Sequence, residues 1–398
     1  MSWQQRIDQA LEQRKHNNLW RQRLNLSSPQ GARVSLSSAD PIELLNFASN
    51  DYLGLAQNSA ALATAANTWG MGSGASHLVC GHSQVHQQLE QALADSVGYP
   101  RGLLFANGYM ANMAILQTLL KRQDYLYQDK LNHASLIDGG LLSNCQMRRY
   151  RHNDVAHLGH FLQQQQSSNH LSNNHLSLVA TDAVFSMDGD QAPLAELSTL
   201  CHQHNALFMV DDAHGFAVLG DQYHSGSIAQ QGLKASDVDI YMGTLGKGLG
   251  GYGAFVAASN EMIEYLIQFA RPYIYTTALP AALAAAMLDN LAIVKSGQRQ
   301  LVLQANIRYF RQQAQALGLS LMPSTTAIQP LVIGDDGKAL AISLALQAAG
   351  ILVTAIRPPT VAKGSARLRI TLTASHTEQD IDYLLTTLLR ILESTHGA

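Results

Sequence analysis

The chain has 398 residues, 46% of them hydrophobic and only 14% charged, a balance that can bury a large core and excludes a disordered polymer. A formal charge of −3 provides no field suited to a polyanion, so no nucleic-acid partner is expected. The three cysteines, Cys80, Cys145 and Cys201, are far apart and form neither a C-x-x-C pair nor a disulfide framework, as in a reducing compartment.

The first twenty residues mix charges throughout and lack the apolar core of a signal peptide. No stretch approaches the ~18 uninterrupted apolar residues of a membrane helix, so a cytoplasmic protein with no membrane partner is expected. Residues 2 to about 23 carry Trp3, Ile7, Ala10 and Leu11 at helical spacing, which predicts an amphipathic surface helix. From Phe47 onward, short apolar runs alternate with helical stretches. Leu103–Phe105, Leu178–Ala180, Leu207–Val210 and Ala254–Ala257 read as buried strands, and 83–97 and 193–204 as helices.

That alternation predicts an α/β fold with a mainly parallel central sheet and helices on both faces. The polar run 163–175 reads as an exposed, mobile loop. An alanine-rich helical region over 279–317 then leads into a smaller α+β unit. Its strands are expected at 327–334, 352–357 and 367–373, with a helix near 338–349. A last helix is opened by Thr377-x-x-Asp380 in the manner of a capping box. The expected division is an N-terminal helical segment over 1–46, a large domain over 47–285 and a small C-terminal domain over 286–398. There is no internal repeat.

The strongest local signal for chemistry is Gly243-Thr244-Leu245-Gly246-Lys247-Gly248-Leu249-Gly250-Gly251, a lone lysine among glycines after a strand. Schiff-base chemistry needs an amine that is unprotonated near neutral pH, in a pocket where a flat ring can approach the backbone. By itself the segment fits a solvated lysine on a flexible turn equally well. A Walker A loop would need Gly at 241 and Ser or Thr at 248, where Tyr241 and Gly248 stand. Gly248-x-Gly250-x-x-Gly253 matches a dinucleotide fingerprint, but a strand-like run follows it instead of a helix.

The second signal, Leu207-Phe208-Met209-Val210-Asp211-Asp212-Ala213-His214, delivers carboxylates and a histidine at the carboxyl end of an apolar strand. Such a carboxylate can keep a pyridine nitrogen protonated, and His214 could orient the ring's oxygen. A metal site from Asp211, Asp212 and His214 is the rival reading, although no H-E-x-x-H or equivalent pair appears. Gly108 and Tyr109 follow the strand GLLF and open a helix, where backbone N–H groups could cradle a phosphate. His133 could stack on a planar ring, and equally suits a core or surface histidine. Arg357, Arg367 and Arg369 bring guanidinium groups onto the small unit, where a fork could grip a carboxylate. Strand alternation puts Arg367 and Arg369 on one face and does not choose between them, although solvation suits Arg367.

Taken together, FASNDYLGL at 47–55, LNHASLIDG at 131–139, VFSMDGDQAPL at 184–194, VDDAHG at 210–215, TLGKGLG at 244–250 and RLRITLTASHT at 367–377 cover essentially the whole chain. In that order they resemble the α-oxoamine synthases, pyridoxal-phosphate (PLP) enzymes of the aspartate-aminotransferase fold that join an amino acid to an acyl thioester. Within the family, AIRPPTV at 355–361 and MSWQQRI at the start are most similar to members that condense L-alanine with a pimeloyl thioester. The acyl carrier would be coenzyme A or an acyl-carrier protein.

The resemblance implies that Lys247 holds PLP as a Schiff base and takes the α-proton. It implies that Asp211 pairs with the ring nitrogen, that His133 stacks on the ring, and that Ser186 and His214 contact its substituents. Gly108, Tyr109 and Thr244 would hold the phosphate, helped by Thr276 or Thr277 of a second copy in a homodimer. Asn50 and Arg369 would position the amino-acid carboxylate, with His133 alongside, and Arg21, Arg357 and Thr360 would lie near the acyl substrate. No metal ligand is implied. The sequence departs from the family pattern at Asp182, where a glutamate is usual, at His77 in Gly-Ser-Gly-Ala-Ser-His, and at Ala362.

Overall fold

The computed structural model describes residues 1–17, 19–37, 42–168 and 175–396. Its strands in chain order are β1 (Arg33–Leu36), β2 (Ile42–Asn46), β3 (Arg101–Phe105), β4 (Tyr125–Asp129), β5 (Gln146–Tyr150), β6 (Ser177–Asp182), β7 (Leu207–Asp211), β8 (Ile240–Thr244), β9 (Ala254–Ala258), β10 (Ile328–Gly334), β11 (Ile351–Leu352), β12 (Thr354–Ile356) and β13 (Ala366–Thr371). Strands β6 and β9 are buried at every position, which requires cover on both faces of their sheet.

Seven strands form that sheet in the order β3-β9-β8-β7-β6-β4-β5. The pairs β4–β5, β4–β6, β6–β7 and β7–β8 are parallel, and β9 runs antiparallel to both β8 and β3. Side chains alternate between two apolar layers. Val179, Phe208, Tyr241 and Phe255 face one, and Leu178, Met209, Ile240 and Val256 face the other. The α/β sheet with helices on both faces, expected from the alternating pattern, is borne out. In register, Asp182 lies beside Asp211 and Asp211 beside Met242, so β6, β7 and β8 end on one rim of the sheet. Ligands of open α/β sheets bind at such a rim.

Two small sheets complete the fold, β10-β13-β12 and β1-β2-β11. β1 and β2 therefore join β11, a strand from the C-terminal part of the chain, in one sheet. Thr377 and Asp380 bond reciprocally, Thr377 N–H to Asp380 Oδ2 at 3.0 Å and Asp380 N–H to Thr377 Oγ1 at 3.2 Å, and start the final helix, Glu378–His396.

Two local expectations are corrected. The first helix spans Trp3–His16 and ends at the Asn17 cap, short of residue 23, and none of its residues is buried. The helix Val155–Ser168 runs through Gln163–Ser168, because glutamine is a good helix former and Gln164 bonds His160 one turn back at 2.8 Å. Residues 169–174 of that polar run lie outside the described residues. No described helix is long and apolar enough to cross a membrane.

Candidate active site

Lys247 stands on a loop that leaves β8 and returns through Gly250 N–H to Lys247 O (3.0 Å) and Gly251 N–H to Leu245 O (2.7 Å). At Gly250, φ is +71°, and a Cβ there would lie 2.5 Å from the Ala56 nitrogen. Only glycine fits that turn. The chain it presses against is itself fixed, since the Asp51 carboxylate accepts from Leu55 N–H at 2.9 Å and Ala56 N–H at 3.2 Å. The FASNDYLGL segment thus buttresses the lysine loop.

The Lys247 amine lies 2.9 Å from His214 Nε2, and His214 Nδ1 lies 2.7 Å from the Tyr52 hydroxyl. Tyr52 also reaches Asn50 Oδ1 at 3.1 Å, and Arg369 Nη2 donates to the same oxygen at 3.1 Å. One proton assignment leaves no lone pair facing another: Tyr52 donates to Asn50, His214 Nδ1–H donates to Tyr52, and His214 Nε2 accepts from Lys247. Burial and the nearby Lys247 charge hold His214 far below the usual histidine range, so its ring is neutral. Burial also lowers the Lys247 pKa, against the pull of Asp211, to about 8.

Asp211 ends β7 and is buried. Its Oδ2 accepts from Asn112 Nδ2 at 2.6 Å and its Oδ1 from Ala213 N–H at 3.0 Å. Asn112 also donates to Ser135 Oγ at 2.9 Å, and that hydroxyl lies 2.8 Å from His133 Nδ1. His133 caps the helix Ala134–Ser143, and its exposed ring has one nitrogen held from below. A flat ligand could lie on it, with a cationic nitrogen at Asp211.

The helix Gly108–Leu119 begins beside this cluster, and Asn107 Oδ1 caps it by accepting from Met110 N–H at 2.9 Å. The N–H groups of Gly108 and Tyr109 have no acceptor within the helix and point out of its positive end. A Cβ on Gly108 would lie 2.8 Å from Thr244 Cγ2, so the helix start and the end of β8 pack tightly enough to exclude any larger residue. These groups could hold a phosphate. The Tyr109 hydroxyl is bonded to the Asp138 carboxylate.

Arg369 and Arg367 are both buried on β13. Arg369 Nε donates to the Ser186 carbonyl at 2.6 Å and ties Ser186 to Asn50. Arg367 is bonded to Asp188, so of the two readings left open for it the solvated one does not hold. The other candidates stand farther out. Thr276 and Thr277 lie on an edge bridged to Ser76, Arg357 and Thr360 close a turn after β12 (Thr360 N–H to Arg357 O, 3.1 Å), and Arg21 is exposed outside any element. A cavity of about 780 Å³ is lined by Val218, Tyr223, His224, Lys295 and Gln304, and Lys247 is not part of its lining. Asp211, Asp212 and His214 do not converge on a metal. Asp212 turns to the opposite side of the strand, where Ser227 N–H (2.7 Å), the Ser227 hydroxyl (2.5 Å) and the Tyr241 hydroxyl (2.8 Å) take its oxygens.

Residues 42–388 match the family model of class I and II aminotransferases. The chain belongs to that family. An 8-amino-7-oxononanoate synthase from Marinobacter nauticus is 52% identical over 96% of this chain and 94% of its own length. Among solved structures, serine palmitoyltransferase from S. paucimobilis with bound PLP–myriocin has a TM-score of 0.91 at 26% identity, each chain covered over 100%. An 8-amino-7-oxononanoate synthase from Francisella tularensis has a TM-score of 0.75 at 30% identity, covering 89% of this chain and 99% of that one. The resemblance drawn from the sequence motifs is borne out.

Three residues of this aminotransferase-family cluster have no assignment in the sequence reading: Tyr52, Asn112 and Ser135. Tyr52 and Ser135 lie inside quoted motifs, and Asn112 lies outside them. Asn112 sits four residues after Gly108 on one helix, a spacing that puts both on the same face. That spacing is the one signal in the sequence that could have found it.

Proposed function

We propose that this chain is a PLP-dependent acyltransferase that condenses L-alanine with a pimeloyl thioester, giving 8-amino-7-oxononanoate, CO2 and the free thiol of the carrier. The observation that carries the reading is a lysine amine with a pKa of about 8, 2.9 Å from a neutral His214, on the rim where Asp211 is buried. Relatives about half identical over nearly the whole chain bear the name of that synthase, which supports the choice of substrates.

When bound, PLP would withdraw electrons from the amino-acid α-carbon. Everything else falls to the chain. Lys247 Nζ, unprotonated in a useful fraction near neutral pH, would anchor the cofactor and then receive the α-proton of alanine. His214 Nε2 would hold the amine in line, and Asp211 would keep the ring nitrogen protonated. His133 would cover the ring, and Ser186 would border it. Gly108 and Tyr109 N–H and the Thr244 hydroxyl would take the phosphate. Arg369, with Asn50, would hold the alanine carboxylate. Arg21, Arg357 and Thr360 would meet the acyl chain and its carrier, either coenzyme A or an acyl-carrier protein.

The working form would be a homodimer, with Thr276 or Thr277 serving the other subunit's phosphate. Met71, Val79 and Tyr275, all more than two-thirds exposed on the stretches around the Ser76–Thr277 bridge, support an interface there.

The test is a screen of alanine, glycine and serine against pimeloyl, acetyl, succinyl and palmitoyl thioesters, with CO2 and product mass measured together. Alanine with pimeloyl thioester should give one CO2 per 8-amino-7-oxononanoate. Preference for another pair would replace this assignment by that of a sister synthase.

A further inference from the structure

A second carboxyl at the rim has no task in the reaction above. Asp182 ends β6 in register with Asp211 on β7, so both side chains leave the same face of the sheet. It is 5% exposed. Its Oδ2 accepts from His133 N–H at 3.0 Å, and its own N–H donates to Asn132 Oδ1 at 3.0 Å. Its Oδ1 is buried and has no hydrogen-bond partner among the described residues. Asp211 differs, with a donor on each oxygen.

The charged groups that act on Asp182 come from three elements: Asp211 on β7, Asp129 on β4 and Lys247 after β8. Two are carboxylates, and the one cation, Lys247, is bonded to His214. An ionised carboxylate with a bare buried oxygen is strongly disfavoured, and of two neighbouring carboxylates one has its ionisation suppressed. The proton is stabilised most on the oxygen that lacks a donor, which is Asp182 Oδ1. Burial and the Asp211 charge act in the same direction and push this carboxyl well above the ordinary range.

We propose that Asp182 is a positioning residue, a neutral carboxyl that anchors the His133 main chain and leaves Asp211 as the single negative charge of the pair. This rests on the reading of Asp211 and Lys247 given above. A second charge beside Lys247 would raise the pKa of its amine further and shrink the fraction unprotonated at neutral pH. A protonated Asp182 supplies the hydrogen bond to the His133 loop without that charge.

Infrared difference spectra of the full chain freed of cofactor test this directly. At neutral pH the wild type should show a protonated-carboxyl component that is missing in Asp182→Asn, beside the one from Glu90, whose carboxyl burial raises to about 7. In Asp211→Asn the Asp182 component should titrate at lower pH, by about one unit, because the neighbouring charge is gone. The Lys247 amine, followed by pH-dependent labelling, should keep its midpoint in Asp182→Asn and move lower in Asp211→Asn.

Protonated-carboxyl absorbance equally strong in wild type and Asp182→Asn, an unmoved midpoint of the Asp182 component in Asp211→Asn, or an equal fall of the Lys247 midpoint in both variants would each overturn the proposal. If Asp182→Asn does not fold, the wild type and Asp211→Asn decide through the band midpoint. None of these readouts uses bound cofactor or turnover, so failure of the PLP reading would show separately, as a chain that takes up no PLP.

Discussion

The Tyr52 hydroxyl lies 2.7 Å from His214 Nδ1 and fixes which nitrogen of that ring faces Lys247. Removing it in Tyr52→Phe frees the ring to take either tautomer. One neutral hydrogen bond contributes about 0.5–1.5 kcal/mol. The expected result is a fall in kcat of roughly 2- to 10-fold with KM for alanine little changed. Steady-state kinetics on alanine check this, and a change confined to KM would contradict the tautomer argument.

Cofactor capture should depend on pH through Lys247. Its amine titrates near 8, below the ordinary lysine value, because burial disfavours the ammonium form. Only the unprotonated amine attacks an aldehyde. The rate at which cofactor-free protein takes up PLP should therefore rise with pH and level off above about 8, read by stopped-flow absorbance. Lys247→Ala should show no such phase, yield no borohydride-fixed adduct, and lose turnover by at least 10²- to 10⁴-fold.

His152 gives the fold a separate pH dependence. Burial disfavours its charge, but Asp129 Oδ1 at 3.0 Å and Asp190 Oδ2 at 2.7 Å more than reverse this and raise its pKa to about 10. The folded value lies above the unfolded one of about 6.5. Its contribution to stability is complete below that lower value and disappears as pH rises through about 10. His152→Gln should cost roughly 2 kcal/mol at pH 6 and little at pH 10.5, measured by denaturant unfolding.

Gly250→Ala tests the lysine loop. The new methyl would meet the Ala56 backbone at 2.5 Å in a left-handed conformation. The conformational cost is about 1–2 kcal/mol and overpacking adds about 1–3. A lower unfolding midpoint together with weaker PLP retention is expected. Loss of stability alone would mean that the loop does not transmit the strain to Lys247.

The sheet and its buried strands were legible because short apolar runs and period-3.6 stretches are local patterns, and the rim residues because they stand in contiguous motifs. The direction of β9 was not, since an apolar run such as AFVAA carries no sign of parallel or antiparallel pairing. The partners of buried charges were also hidden. Arg367 finds Asp188 and His152 finds Asp129 and Asp190 only once β13, β4 and β5 are in register. The start of the Lys247 chain was half visible. Asn50 stood out through its motif, while the link through Tyr52 to His214 spans 162 positions and exists only in the folded state.

The pairing of β2 with β11 has a consequence for synthesis on the ribosome. The Phe47 carbonyl accepts from Thr371 N–H at 2.8 Å, and Asn50 waits for Arg369. At about 5–20 residues per second, roughly 15–60 s separate the emergence of β2 from that of its partner strand. During that interval the large sheet can form around Lys247 and Asp211 while the Asn50–Arg369 corner stays open. The nascent chain would thus be able to assemble its lysine rim before it can grip a carboxylate, and Leu45 and Asn46 on β2 would present an unpaired strand edge until β11 arrives.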